Sequence, residues 1–276
     1  MKVSILLCAY NAEAYIADAI ESTLAQTFKD FEFIIVDDGS SDNTPDIIRR
    51  YEDERIKVIE REHDYIDSLN IGIRHCHGKF IARMDADDVM EPERIATQVA
   101  LMDARPDITV CTTWAQSFGD VEKTIGNVFK GEIEDIGRLF LLGNFLIHST
   151  SMICRQFLSR HRLQYKRYPY AEDFRLWTDI AHKGGRFYII PQPLLRYRIT
   201  SGQISQSHRK EQDETRLLIQ QEIIEHELRK MPQPHQQRAR RLYHHMLLCH
   251  QEELLTANPI LRVMYQIFSN SAINVL

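Results

Sequence analysis

The first hundred residues alternate short β-branched apolar runs with helical apolar periodicity, and no other feature restricts the fold as strongly. Val3–Cys8, Phe31–Val36, Ile56–Ile59 and Phe80–Met84 read as strands, with helices at Ala12–Gln26, Pro45–Tyr51, Tyr65–Cys76 and Pro92–Ala104. Apolar runs without polar alternation, interleaved with helices, predict a parallel sheet covered on both faces. Such sheets bind ligands beyond the carboxyl ends of their strands. Asn11, Ser40, Ser41 and Glu91-Pro92 stand where helix starts are expected. Beyond Pro106 the pattern loosens into a strand at Ile108–Trp114, a polar excursion around Phe118–Phe129 and a helix near Glu132–Leu142, which predicts a mixed, partly antiparallel second half. From Ser207 onward two long helical patterns flank Pro232-Gln-Pro234 and predict a helical appendage.

Charge and cysteine content narrow the classes. The 276 residues carry 34 Lys and Arg against 39 Asp and Glu, a net charge of −5 that argues against a nucleic-acid partner. The acidity is concentrated in residues 1–105, with 12 basic against 22 acidic side chains. Five scattered cysteines without a CxxC suggest neither a disulfide framework nor a zinc site, and fit a reducing cytoplasm. The apolar run from Val3 to Tyr10 is short and leads into motif residues, against a cleaved signal. The uncharged stretches Leu139–Cys154 and Val263–Leu276 fall below the roughly 18–20 apolar residues that a membrane span needs.

Three strand ends carry chemistry. Met84-Asp85-Ala86-Asp87-Asp88 places three carboxylates directly after a buried strand. Like charges this close favour protonation unless a cation neutralises them, and Mg²⁺ or Mn²⁺ takes carboxylate oxygens while leaving positions for phosphates. Alone, such a cluster is more readily an Asp-rich turn whose side chains cap the helix at Pro92. Val36-Asp37-Asp38-Gly39-Ser40-Ser41-Asp42 offers a carboxylate to a base N–H, although Asp-Gly-Ser-Ser is also ordinary turn material. Cys8-Ala9-Tyr10-Asn11 offers a ring for stacking on a flat base, or simply a packing tyrosine. All three follow strands expected to share one rim, and together they favour a ligand site.

On the segments Val3–Asn11, Ser22–Thr27, Val36–Asp42 and Asp85–Asp88, the sequence resembles the inverting family 2 glycosyltransferases of the GT-A fold. That resemblance implies an α/β, Rossmann-like, mostly parallel sheet flanked by helices. It divides the chain into a nucleotide-sugar-binding half (1–105), an acceptor and catalytic-base half (106–206) and a C-terminal helical extension (207–276). It implies Ala9 and Tyr10 against the base of a UDP-sugar, Asp38 on the pyrimidine N3–H, Asp85 near the ribose or metal, and Asp87 on a Mg²⁺ or Mn²⁺ ion. Tyr170-Ala171-Glu172-Asp173 resembles the family's Glu-Asp motif, which makes Asp173 the general base and Glu172 a neighbour on the acceptor side; first-turn acids are otherwise ordinary. His148 matches a histidine found in relatives and is assigned an acceptor-positioning role, against the plainer reading of a core histidine. Leu195–Ser205 resembles the closing motif, with Arg198 placed to stabilise the leaving diphosphate.

Two departures from the family pattern stand out. Glu60–Tyr65 replaces the usual Asn-x-Gly after strand 3, leaving Arg61 or His63 as candidates for the diphosphate, while Asn70 and Gly72 keep the later Asn-x-Gly. Thr200 stands where a metal-proximal histidine is frequent, with His208 as a substitute. The expectation is a metal-dependent hexosyl- or N-acetylhexosaminyl-transferase acting from a nucleotide-sugar onto a glycan or lipid-linked glycan at the cytoplasmic face. Its last helices would meet a membrane surface or a second subunit. A sugar-phosphate nucleotidyltransferase is disfavoured because Ala9-Tyr10-Asn11-Ala12 lacks glycine and cation. A non-catalytic nucleotide-sugar-binding module is disfavoured because both acidic motifs are present.

Overall fold

The computed structural model describes residues 1–200, 208–251 and 257–269, and among these a single sheet of 10 strands organises the molecule. Strands β1 (Val3–Ala9), β2 (Phe31–Asp37), β3 (Ile56–Glu60) and β4 (Phe80–Asp85) lie in the order β3-β2-β1-β4 and are all parallel. Every residue of β1 and β2 is buried. Side chains alternate across a strand, so Leu6, Cys8, Ile34 and Val36 enter one apolar cluster while Ile5, Leu7, Phe33 and Ile35 enter another on the opposite face. Helices α1 (Ile16–Leu24), α2 (Thr44–Ile48), α3 (Tyr65–His75) and α4 (Arg94–Ala104) follow the four strands. Helix α1 begins five residues beyond Asn11, which instead adopts a left-handed backbone (φ 48°) and accepts a hydrogen bond from Ser41 N–H through Oδ1 (2.8 Å). That residue ties two rim loops together and does not cap a helix.

The second half is mixed, as expected. Strands β5 (Val89–Met90), β6 (Ile108–Gly119), β7 (Thr124–Ile125), β8 (Gly131–Ile133), β9 (Met152–Cys154) and β10 (Arg186–Ile199) extend the sheet. β9 is antiparallel to both β4 and β6, whereas β10 runs parallel to β6 and antiparallel to β5 and β8. The helix expected over Glu132–Leu142 is divided. β8 takes Gly131–Ile133, a single helical turn α5 (Ile136–Leu139) follows, and a 3₁₀ turn covers Phe140–Leu142. The cause is long-range: Ile133 pairs with Phe187 in the sheet, and Glu132 bonds to Arg105 and Arg186.

Helices α6 (Arg155–His161) and α7 (Glu172–His182) precede β10, and α8 (Arg209–Lys230), α9 (Gln233–Gln251) and α10 (Ala257–Ser269) follow it. Ile219, Ile223, Ile224 and Leu228 of α8 enter the same apolar cluster as Phe140, Phe174 and Trp177, so the appendage shares the core of the sheet domain. Among the described residues no helix is long and apolar enough to cross a membrane.

Candidate active site

Register places the first signals side by side. Ala9 is paired with Asp37 across β1 and β2, and Cys8 with Asp85 across β1 and β4. Tyr10, Asp38 and the Asp85 turn therefore leave three adjacent strands at one rim, with β2 and β4 roughly 10 Å apart. Ala9 is buried, and its carbonyl accepts from Asp38 N–H (2.8 Å), so it contributes backbone and not side chain to this rim. Tyr10 is 47% exposed.

Asp38 is fully buried, and its carboxylate is held from one side. Oδ1 accepts from Asp64 N–H (2.8 Å) and from the Ser68 hydroxyl, both at the start of α3. Oδ2 accepts no directed hydrogen bond among the described residues and lies 2.9 Å from His63 Nδ1. A buried acceptor in that state is costly and points to a donor supplied from outside. Gly39 makes the loop crossing possible: at φ +78° a Cβ there would stand 2.9 Å from His63 N and 3.1 Å from the Arg61 carbonyl oxygen.

Beneath the acidic turn lies a group that the sequence reading passed over. Arg83 is fully buried in β4 and two residues before Asp85, hence on the same face. Its Nη2 meets Asp85 Oδ1 at 2.6 Å and Tyr65 Oη at 3.3 Å, and Nη1 donates to the Leu6 (2.9 Å) and Met84 carbonyls. An arginine inside an otherwise apolar strand was the signal available for finding it. Asp85 and Asp87 are half-buried, while Asp88 is wholly buried, accepting from Ser149 Oγ (2.6 Å) and from Arg198 N–H (2.9 Å). Burial, then the neighbouring Asp87 and Asp85 charges, push the Asp88 carboxyl well above the usual carboxylate range. Asp88 is thus a brace between the acidic turn, the turn at His148–Thr150 and the end of β10.

Helix α7 opens with Glu172 and Asp173, as expected. Asp173 Oδ2 accepts from Asn144 Nδ2 (3.0 Å), and Oδ1 from Phe174 N–H (2.6 Å). Burial raises both carboxyls above their ordinary values, and the Asp85 charge adds to each shift. The acids of the Asp85 turn and those opening α7 therefore share one electrostatic neighbourhood. His148 is in it too: its Nε2 meets Tyr165 Oη at 2.7 Å, and burial, with the Arg83 charge, lowers its pKa to about 3. It is a neutral imidazole at pH 7.

Arg198 reaches the same turn but is engaged there. Its Nε donates to the Asp87 carbonyl (2.8 Å) and Nη2 to Asp18 (3.0 Å), and its guanidinium lies 4.5 Å from both the Tyr15 and Phe118 ring centres. Arg61 pairs with Asp67 of α3 (2.8 Å), and Asn70 holds the backbone of Tyr165 through two hydrogen bonds. Gly72 packs where a Cβ would lie 2.3 Å from Leu6 Cδ1. His208 bonds to Glu211 (2.7 Å) and stacks on Tyr170 (4.4 Å), beside the Glu172–Asp173 turn. Ser201–Ser205 of the expected closing segment lie outside the described residues. A cavity of about 470 Å³ lined by Arg138, His182, Glu227 and Lys230 opens at the opposite end of α7, away from the rim acids.

Residues 4–162 match the family described as Glycosyl transferase family 2, over more than half of the chain. The chain belongs to glycosyl transferase family 2. An uncharacterised glycosyltransferase of Haemophilus influenzae is 35% identical over 244 residues, 83% of this chain and 75% of that protein. The chain is also similar to the Escherichia coli UDP-Glc:alpha-D-GlcNAc-diphosphoundecaprenol beta-1,3-glucosyltransferase WfaP, at 29% identity over 76% of this chain and 82% of the other. Among solved structures, S. aureus TarS with UDP-GlcNAc superposes with a TM-score of 0.69 at 19% identity, covering 86% of this chain and 69% of that one. The Pyrobaculum calidifontis mannosyltransferase PcManGT, solved with GDP-Man and Mn²⁺, gives 0.64 at 16% identity, covering 100% and 76%. These likenesses establish the GT-A fold, and family membership makes the protein a glycosyltransferase.

Proposed function

We propose that this glycosyltransferase is metal-dependent and inverting, transferring a hexosyl or N-acetylhexosaminyl group from a UDP-sugar to a hydroxyl of a glycan or lipid-linked glycan at the cytoplasmic face of a membrane. The observation that carries the reading is Asp173: a half-buried carboxylate with a raised pKa, oriented by Asn144 and Phe174 N–H, within the electrostatic reach of Asp85. In a single displacement Asp173 takes the acceptor proton as that oxygen bonds to the anomeric carbon, and the bond to the diphosphate breaks with its electron pair leaving on the nucleotide. His148 stays neutral and, with Glu172, shapes the acceptor side.

The donor set suits a hard cation. Asp85 and Asp87 offer carboxylate oxygens on a half-exposed turn, and among the described residues no cluster of three His, Cys, Asp or Glu side chains is arranged to enclose a metal. Mg²⁺ and Mn²⁺ are commonly held by one or two carboxylates plus phosphate oxygens and water. When bound, the ion would neutralise charge on the leaving diphosphate. On this reading Tyr10 stacks on the base, and the unpaired Asp38 Oδ2 receives its N–H. Arg198 holds the acidic turn in place from the 106–206 half, so that residues 1–105 bind donor and 106–206 supply base and acceptor contacts. The WfaP likeness supports UDP and a lipid-linked acceptor.

The deciding experiment incubates the enzyme with UDP- and GDP-sugars, Mn²⁺ and polyprenyl-diphosphate sugars. Metal-dependent transfer from a UDP-sugar with inversion is expected, and retention of configuration would refute Asp173 as base in a single displacement.

A further inference from the structure

His63 already makes the two contacts that the proposed site would offer a nucleobase. Its ring stacks on Tyr10, with centroids 4.0 Å apart and planes 24° from parallel. Its Nδ1 stands 3.1 Å from the Asp38 carbonyl oxygen and 2.9 Å from Asp38 Oδ2. Both neighbours are acceptors, so Nδ1 carries the ring proton. A flat ring on Tyr10 with an N–H turned toward Asp38 is also how a pyrimidine with a free N3–H would sit. The imidazole remains half exposed, with 54% of its side chain accessible, and can leave by rotation about its own side-chain bonds. The backbone beneath it is fixed, because Gly39 packs against His63 N and Asp64 N–H is committed to Asp38 Oδ1.

We propose that His63 is an internal competitor for the donor base: its imidazole occupies the Tyr10–Asp38 site and must swing aside when a nucleotide binds. The inference rests on the base-site reading above. In the resting enzyme His63 covers the Tyr10 ring and stands between solvent and Asp38 Oδ2, its Nδ1 directed to the Asp38 carbonyl oxygen, so the base gains only the difference between its own contacts and those of the imidazole. A protein whose competent state is fractionally populated binds with an affinity reduced by that fraction. A nucleoside, with no phosphate contacts, would then displace the ring less readily than a nucleoside diphosphate.

The test is titration calorimetry of UDP in the presence of Mn²⁺ with the parent chain, His63→Ala, His63→Asn, Tyr10→Ala and Asp38→Asn. One stacked pair and one hydrogen bond are removed from the competing state, so His63→Ala should bind UDP about tenfold more tightly. His63→Asn, which keeps a donor without the ring, should fall between. In the parent, the His63 Hε1 resonance should move downfield on adding UDP as the Tyr10 ring current is lost. Unchanged or weaker binding by His63→Ala, with Asp38→Asn and Tyr10→Ala both impaired, overturns the competitor and leaves the base site standing. Unchanged binding in Asp38→Asn and Tyr10→Ala overturns both.

Discussion

At the scale of single residues, the base proposed at Asp173 would join catalysis to instability. Burial lifts its native pKa above the unfolded value, with Asn144 and Phe174 N–H opposing the shift. Its folded form therefore holds a proton more tightly, so it takes away stability as pH rises from the unfolded carboxylate value through the native one. Asp173→Asn should lower transfer by about 10²–10⁴-fold and yet melt no lower than the parent at pH 8, with the difference vanishing near pH 4. Melting curves at both pH values, beside a radiolabelled transfer assay, check this; near-parental turnover would remove the base assignment. The parent's kcat should fall on the acid side at a pH above that of an ordinary aspartate, because the base must be ionised. Two acids opening an apolar helix are visible in the sequence, and the resemblance of Tyr170–Asp173 to the family's Glu-Asp motif nominated Asp173. Its orienting partner Asn144 was not, being 29 residues away in a segment without regular periodicity.

Among elements, the acidic turn depends on braces from both halves of the chain. Asp88 accepts from Ser149 and from the backbone of Arg198, and so links β4, the His148–Thr150 turn and β10. Asp88→Ala leaves buried donors unmatched and should cost about 2–3 kcal/mol, lowering the melting temperature by roughly 5–10 °C. Asp88→Asn, which keeps an acceptor for Arg198 N–H, should lose less than half of that; equal melting of the two variants would discount the brace. Arg83 sits under the same turn, and its place in a buried strand two residues before Asp85 made it findable. The contacts of Arg198 were not, because they cross 110 residues to Asp88 and 180 to Asp18. The split of the Glu132–Leu142 segment into strand, turn and 3₁₀ helix likewise follows from pairing with β10, a partner beyond the reach of local periodicity.

For the whole molecule, the C-terminal helices are part of the core. Ile219, Ile223, Ile224 and Leu228 pack with Phe140, Phe174 and Trp177, next to the helix that carries Asp173. Deleting residues 207–276 should uncover this apolar surface and give an insoluble or non-cooperatively melting protein; a monomeric fragment with a sharp transition would show that the sheet domain stands alone. On the proposed metal dependence, removal of divalent cations with EDTA should abolish transfer while shifting the melting temperature of the sugar-free enzyme little, because the ion would touch only half-buried Asp85 and Asp87. Restored activity on adding Mn²⁺ or Mg²⁺ completes that test. The apolar tail from Asn270 to Leu276 falls outside the described residues, and the described α9 segment, Gln233–Gln251, contains three arginines and no acid.

Local periodicity alone determined the four parallel strands, their helices and the rim at which Tyr10, Asp38 and the aspartates of 85–88 emerge, because strand and helix periods are properties of neighbouring residues. Tertiary structure decided the rest. It turned Asn11 from a helix cap into a loop tie, set Asp88 as a brace and Arg198 against Asp87 and Asp18, and laid His63 on Tyr10. Each of these depends on which surfaces meet once the sheet has formed, and such meetings are selected by packing across long separations, where no short-range pattern records them.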